Sequence, residues 1–157
     1  VNPEMISNAY RKWYAEQGRL GLQDEPLYPG MVELIHDLKS NKEFNIGVAT
    51  NKSRIALNNG LKKHNLNEVF DITLTMEEAR PKPDPDMAIQ AMSKLNIEKK
   101  STVIVGDTIN DIGLGVNAGI NSIGVAWGYN SIEMLRNEGA DFIVKDSTEL
   151  FDIIIDL

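Results

Sequence analysis

Two hydrophobic patterns alternate along most of this chain. Short continuous apolar runs, such as residues 103–105, are typical of buried strands. Longer segments, such as the one containing Val32, Leu34, Ile35 and Leu38, carry apolar residues every three or four positions and predict helices. Strands that alternate with helices of this length require right-handed crossovers. The pattern therefore predicts an α/β, Rossmann-like fold, with a mostly parallel sheet covered by helices on both faces.

The predicted elements follow in order from residue 30 onward. The strands are expected at residues 44–50, 71–76, 102–107, 122–127 and 141–145. The helices are expected around residues 32–38, at 53–64, from a cap at Asp84 to 95, from 108 to 118, at 131–138 and from 147 to the last residues. We place the main domain at residues 27–157.

Residues 1–26 follow another pattern. Asn2 is a suitable helix cap, Ile6 and Trp13 lie on one helical face, and Gly18 is a suitable helix end. Residues 19–29 contain two prolines and a glycine and predict a linker.

Composition narrows the classes of function. The 157 residues carry a net charge of −7, which argues against a general attraction to nucleic acid or an anionic membrane. The chain has no cysteine, which excludes disulfides and zinc–thiolate sites. No apolar run approaches the roughly 20 residues of a membrane span, so we expect no membrane partner and a cytoplasmic location.

Polar residues stand at or just after the ends of three predicted strands. Thr50 and Asn51 follow the first, Lys82 lies between two prolines after the second, and Asp107 and Asp111 follow the third. Because ligands bind beyond the carboxyl ends of parallel strands, we expect these residues to converge on one site. A hydroxyl before a helix can bind an anion, a fixed lysine can oppose a phosphate, and carboxylates suit Mg²⁺.

Each of these residues also has a purely structural interpretation. Thr50 can be a helix cap, Lys82 a solvated loop residue, Asp107 the cap of the next helix and Asp111 part of its solvated first turn. The segment 127–129 (Trp-Gly-Tyr) can line the mouth of the site or pack beneath its loop. The two histidines, His36 and His64, are interpreted as surface residues.

The combination resembles the haloacid dehalogenase-like hydrolase superfamily, in its phosphoglycolate phosphatase-like branch, over residues 27–150. The matching stretches are 27–30 (Leu-Tyr-Pro-Gly), 48–52 (Val-Ala-Thr-Asn-Lys), 80–85 (Arg-Pro-Lys-Pro-Asp-Pro), 105–111 (Val-Gly-Asp-Thr-Ile-Asn-Asp) and 124–129 (Gly-Val-Ala-Trp-Gly-Tyr). The resemblance implies that Thr50 and Asn51 hold a phosphoryl group and that Lys82 neutralises it. It also implies that Asp107 ligates Mg²⁺, and that Asp111 joins it or supports Lys82.

The chain departs from this family at its first motif, Asp-x-Asp-x-Thr, which supplies the nucleophile and the general acid/base. The only Asp-x-Asp, at residues 84–86, follows no predicted strand and is rejected as that pair. The resemblance therefore implies a core that lacks its first strand, which pairs in this family with the strands ending at Thr50 and Asp107. It also implies that residues 1–26 are the tail and linker of a helical cap.

The expected function is Mg²⁺-dependent hydrolysis of a small phosphorylated metabolite, such as 2-phosphoglycolate, through an aspartyl-phosphate. Residues 1–157 alone are expected to be inactive because the nucleophile is not among them. Two alternatives remain: an inactive fragment or pseudoenzyme that only binds phosphate, and a receiver-like signalling module. The sequence gives no indication of the oligomeric state.

Overall fold

A computed structural model describes residues 12, 13, 16 and 26–157. Strands and helices alternate through residues 26–157. The strands are β1 (Gly47–Thr50), β2 (Ile72–Thr75), β3 (Val103–Gly106), β4 (Asn121–Val125) and β5 (Phe142–Val144). The α-helices are α1 (Met31–Ser40), α2 (Arg54–Lys63), α3 (Asp86–Leu95), α4 (Ile109–Ala118), α5 (Ile132–Glu138) and α6 (Ser147–Asp156). A short 3₁₀ helix, Lys99–Ser101, precedes β3.

Every strand and helix predicted after residue 30 is present, but several ends differ. Strand β1 is shorter than predicted: the main-chain N–H of Phe44 bonds the carbonyl of Asn41, and that of Ile46 bonds the Asp71 carboxylate. The prediction that Asp84 is the cap of α3 is wrong by one position, because Pro85 is the cap residue. The Asp84 carboxylate still accepts a hydrogen bond from the N–H of Asp86 in the first turn.

The strands form two sheets, and every pairing within them is parallel. Strand β1 pairs with β2, and β3, β4 and β5 form the second sheet in that order. The predicted parallel arrangement is therefore confirmed. Among the described residues, β1 and β3 are not paired with each other. This is the arrangement expected if a further strand lies between them, which stays a prediction.

Two apolar clusters cover opposite faces of the β3–β5 sheet. Ile104 contacts the first cluster, which includes Met87 of α3 and Leu114 of α4. Val103 and Val105, its neighbours in β3, contact the second cluster, to which α1 and α6 contribute. Because side chains alternate between the faces of a strand, the helices lie on both faces, as predicted. The first cluster also contains residues of β1 and β2, so both sheets share one core.

The amino-terminal predictions fall largely outside the described residues. Residues 12, 13 and 16 are helical, and the rest of the helix expected over residues 2–18 lies outside the described residues. The linker lies outside the described residues except for 26–29. In the part of the chain that is described, no helix is long and apolar enough to cross a membrane. His36 is exposed as predicted, whereas His64 is half-buried.

The shared core gives a prediction about stability. Leu114 is fully buried, whereas Val116 on the same helix is 51% exposed. Leu114→Ala should lower the free energy of unfolding by about 2–5 kcal/mol through lost burial and a cavity. Val116→Ala, the matched control, should change it by no more than about 0.5 kcal/mol. Urea denaturation of both variants measures the difference, and equal effects would contradict the assignment of α4 to the core.

Candidate active site at the carboxyl ends of the strands

The side chain of Lys82 is folded inward. Its Nζ donates to the carbonyl of Ala49 in β1 at 2.8 Å and pairs with Oδ1 of Asp111 at 2.5 Å. The Lys82 side chain is only 13% exposed, and that of Asp111 only 8%. The interpretation of Lys82 as a solvated loop residue is therefore wrong, since the ammonium lies between the end of β1 and the start of α4.

Asn51 holds the main chain of Lys82. Its Oδ1 accepts a hydrogen bond from the Lys82 N–H at 2.8 Å, and its Nδ2 donates to the Lys82 carbonyl at 3.1 Å. The cap of α2 is Ser53 and not Thr50, which removes the structural interpretation of Thr50. The Thr50 hydroxyl oxygen accepts a hydrogen bond from the N–H of Lys52, so its own proton can be donated elsewhere.

Asp111 is part of a capping box at the start of α4. The Thr108 hydroxyl accepts from the Asp111 N–H, while Oδ2 of Asp111 accepts from the N–H and the hydroxyl of Thr108. Thr108 is therefore the cap, and the interpretations of Asp107 as cap and Asp111 as solvated are wrong. Gly106 makes room for this arrangement, since a Cβ there would lie 2.1 Å from Asp111 Cβ.

The Asp107 carboxylate contacts a second set of residues. Its Oδ2 accepts a hydrogen bond from the N–H of Tyr129 at 2.9 Å and a longer one from the Tyr28 hydroxyl at 3.4 Å. Burial and the negative charge of Asp107 raise the pKa of Tyr28. Gly128 lies against the carboxylate, where a Cβ would be 2.0 Å from Asp107 Cβ. Asp107 is therefore enclosed on one side by the loop after β4.

The segment 127–129 combines both roles considered for it. Trp127 packs against the second apolar cluster, as a structural residue does. Gly128 and the main chain of Tyr129 contact Asp107, while the Tyr129 side chain is 86% exposed. The loop after β4 thus has one residue in the core and two at the site.

The predicted site residues form two neighbouring groups. Asn51, Lys82 and Asp111 are joined by direct contacts, with Thr50 next to Asn51 in the chain. Asp107 belongs to the other group, and within residues 26–157 no hydrogen bond joins it to Lys82. Thr108 links the groups, because it follows Asp107 directly and bonds Asp111.

The donor set suits a hard cation at Asp107 better than at Asp111. Both oxygens of Asp111 are already engaged, by Lys82 and by Thr108. Among the described residues, the hydrogen bonds to the Asp107 carboxylate all go to Oδ2, which leaves Oδ1 for a ligand. Mg²⁺ commonly takes one or two carboxylates, with waters and substrate phosphates completing its shell. The described residues contain no cluster of three His, Asp or Glu side chains that could hold a metal ion by themselves.

An ion pair between Arg54 and Glu78 connects the start of α2 with the loop after β2, the loop that carries Lys82. Arg54, in the first turn of α2, donates to both Glu78 oxygens and to the side chain and carbonyl of Thr73. Glu78 also accepts from the N–H and hydroxyl of Thr75. The hydrogen bond from Arg54, followed by those from Thr75, lowers the pKa of Glu78 to about 2.

Sequence reasoning missed several residues that shape the site. It assigned no role to Tyr28, Thr108 or the Arg54–Glu78 pair, and it considered Gly128 only as part of the segment 127–129. Thr108 was detectable, because Thr-x-x-Asp after a strand is close to the capping-box pattern. The others depend on contacts between distant segments and leave no local signal.

The chain is also similar to known proteins. The family model described as haloacid dehalogenase-like hydrolase matches residues 1–125. Pyrophosphatase PpaX of Bacillus velezensis is 31% identical over 127 residues, which cover 80% of this chain and 58% of the relative. Probable phosphatase IndB of Dickeya dadantii is 32% identical and is matched over 96% of this chain and 66% of its own length.

A solved structure supports the fold. A predicted phosphoglycolate phosphatase from Haemophilus somnus 129pt superposes with a TM-score of 0.84 at 23% identity, covering 98% of this chain and 68% of that one. This chain therefore spans less than two thirds of the length of PpaX and about two thirds of IndB and of the Haemophilus protein.

The Arg54–Glu78 ion pair should make a pH-dependent contribution to stability. The pKa of Glu78 is lowered from 4.5 to about 2 on folding, so its stabilising effect is complete above 4.5 and is lost as the pH falls toward 2. Glu78→Gln should therefore unfold at lower urea concentration than the parent at pH 7. The difference should shrink as the pH is lowered through this interval.

A matched control is Glu98→Gln, whose partner Lys100 is exposed like Glu98 itself. Exposed pairs contribute little, so this variant should stay close to the parent at each pH. A Glu78→Gln effect that is constant with pH would contradict the role given to the ion pair.

Proposed function

Because the chain belongs to the haloacid dehalogenase-like hydrolase family, we propose that the complete protein is a phosphatase of small phosphorylated metabolites. The single observation that carries the proposal is the buried Lys82 ammonium, held between the carboxyl end of β1 and Asp111. A lysine fixed in this way, beside the hydroxyl of Thr50, is suited to a dianionic phosphoryl group. The family match also argues against the receiver-like alternative.

Lys82 and Thr50 supply the phosphoryl-binding side of the proposed site. Lys82 offsets the negative charge that builds on the phosphoryl oxygens during transfer, and Asp111 keeps its ammonium in place. The Thr50 hydroxyl donates its proton to one phosphoryl oxygen. Asn51 contributes its main-chain N–H, since its side chain is engaged by Lys82.

Asp107 supplies the metal-binding side. Its Oδ1 would hold Mg²⁺, while the N–H of Tyr129 fixes the orientation of the carboxylate through Oδ2. When bound, Mg²⁺ supplies positive charge to the phosphoryl oxygens and fixes their direction. The phosphatases of this family generally depend on a metal ion, and Mg²⁺ is the ion we propose.

The nucleophile is proposed to lie on a strand between β1 and β3. Those two strands are unpaired toward each other in the described residues, and each carries backbone groups that a parallel strand can bond. A carboxylate at the end of such a strand would lie between Thr50 and Asp107. It would attack the phosphorus and form an aspartyl-phosphate while the bond from phosphorus to the alcohol oxygen breaks, and the alcohol would take its proton from the general acid/base of the Asp-x-Asp-x-Thr motif. Water, giving a proton back to that group, would then hydrolyse the intermediate.

The proposed site is compatible with two classes of substrate, phosphate monoesters and inorganic pyrophosphate. We propose 2-phosphoglycolate or a similar monoester as the first, following the family branch that the motifs resemble. Inorganic pyrophosphate is the second, because a relative 31% identical to this chain is named a pyrophosphatase.

The proposed function is tested by assaying the complete protein with 2-phosphoglycolate, other small phosphate monoesters and pyrophosphate, with and without Mg²⁺. We expect Mg²⁺-dependent release of phosphate from a monoester at a higher kcat/KM than from pyrophosphate. The reverse ranking would replace the substrate, and phosphate binding without turnover on any of them would favour the pseudoenzyme. Strong hydrolysis by residues 1–157 alone would show that the nucleophile is misplaced.

Single variants of the complete protein test the roles of the two groups. Lys82→Ala and Asp107→Asn should each lower kcat/KM by about 10²–10⁴-fold. The first removes a positive charge that stabilises the transition state, and the second removes the carboxylate that would hold Mg²⁺. Lys94→Ala, at an exposed position near the end of α3, is the matched control and should retain parent activity. Retained activity in Lys82→Ala, with the fold checked by circular dichroism, would overturn the assignment.

A further inference from the structure

The segment Pro81-Lys82-Pro83 has an unusual main chain. Proline carries no N–H, so the N–H of Lys82 is the only main-chain donor in these three residues. It donates to Oδ1 of Asn51 at 2.8 Å. The Lys82 carbonyl accepts from Nδ2 of the same amide at 3.1 Å. A single side chain therefore satisfies both main-chain polar groups of Lys82.

The flanking residues are anchored elsewhere. The Pro81 carbonyl accepts from the N–H of Asp84, and the Pro83 carbonyl accepts from Nδ2 of Asn117 in α4. These contacts shape the loop without contacting Lys82 itself. The connection between the Lys82 main chain and β1 therefore runs through Asn51.

Both ends of Lys82 contact the same strand end. The main chain bonds the side chain of Asn51, and Nζ bonds the carbonyl of Ala49, two residues earlier. A lysine side chain has four rotatable carbon bonds, and fixing them costs conformational entropy. Fixing the main chain beside the acceptor of the ammonium limits the positions that Nζ can reach.

We propose that the Asn51 side chain is a positioning residue, which sets the location of the Lys82 ammonium and does not itself hold the phosphoryl group. The family resemblance implies that Asn51 holds the phosphoryl group; in this proposal only the main-chain N–H of Asn51 does so, and its side chain does not. The expected effect of Asn51 on catalysis rests on the proposed phosphatase function. The expected effect of Asn51 on the position of Lys82 does not, because the hydrogen bonds between the two residues are present without substrate.

The first test measures Lys82 directly. The complete protein and its variants are acetylated briefly with acetic anhydride in the absence of substrate, and modification of Lys82 is followed by peptide mass spectrometry. Lys82 should react slowly in the parent protein because its side chain is mostly buried. Asn51→Ala should raise its reaction rate several-fold.

Two further variants complete the comparison. Asn117→Ala makes the same substitution at the neighbouring anchor, which contacts Pro83 and not Lys82, and should leave the rate unchanged. Asn51→Asp keeps an acceptor for the Lys82 N–H but loses the donor to its carbonyl, so it should react at an intermediate rate. It also preserves the test if Asn51→Ala does not fold.

The second test measures catalysis in the same variants. If Asn51 acts through Lys82, Asn51→Ala should lower kcat by about 10²-fold, the scale associated with misplacing a catalytic group by about 1 Å. Asn117→Ala should retain parent kcat. A merely structural role of Asn51 would lower the melting temperature without changing the reactivity of Lys82 in the folded protein.

The outcomes separate this inference from the proposed function. Unchanged Lys82 reactivity in both Asn51 variants overturns the inference, whatever their activity. Raised reactivity with parent kcat also overturns it, provided that Lys82→Ala is inactive. If the complete protein hydrolyses no phosphate compound, the proposed function fails, while the labelling result still decides whether Asn51 holds Lys82.

Discussion

The contact between the Lys82 ammonium and the Asp111 carboxylate is the constraint on which the site depends. Both groups are largely withdrawn from water, so each requires the other: removing one partner of a buried pair typically costs about 3–5 kcal/mol. The Lys82 ammonium also donates a hydrogen bond to the carbonyl of Ala49, which connects the pair to β1. The pair thus connects the first sheet to α4, which directly follows β3 of the second sheet.

The connection matters because the two sheets are not joined by strand pairing within the described residues. Their common apolar cluster, which includes Leu74 of β2 and Leu114 of α4, gives non-directional cohesion. The contacts of Lys82, and those of Asn51 to its main chain, are directional. The apolar cluster therefore holds the sheets in one body, and the polar contacts fix the relative positions of the two strand ends.

The sequence predicted the order of elements well because that order depends on local periodicity. It also placed Thr50, Lys82 and Asp107 correctly at or after strand ends. It was incomplete where the answer depended on tertiary contacts: support of Lys82 by Asp111 was one of two roles implied for Asp111, whereas the contact of Lys82 with Ala49, 33 residues away, was not expected. The hydrogen bonds of the Asn51 side chain were missed for the same reason, since their partner, the Lys82 main chain, is 31 residues away. The division into two sheets also depends on strand pairing, and it was indicated only by the family resemblance, through the first strand that this resemblance implies is lacking.

The stretch from Gly106 to Asp111 shows why these residues occur together at this spacing. Gly106 must lack a side chain because the Asp111 carboxylate occupies that space. Asp107 projects its carboxylate toward the loop after β4, whose Tyr129 N–H orients it. Thr108 caps α4 and engages one oxygen of Asp111, which leaves the other oxygen for Lys82. The helix cap and the lysine pair therefore share a single carboxylate, and the start of α4 cannot shift without moving the ammonium.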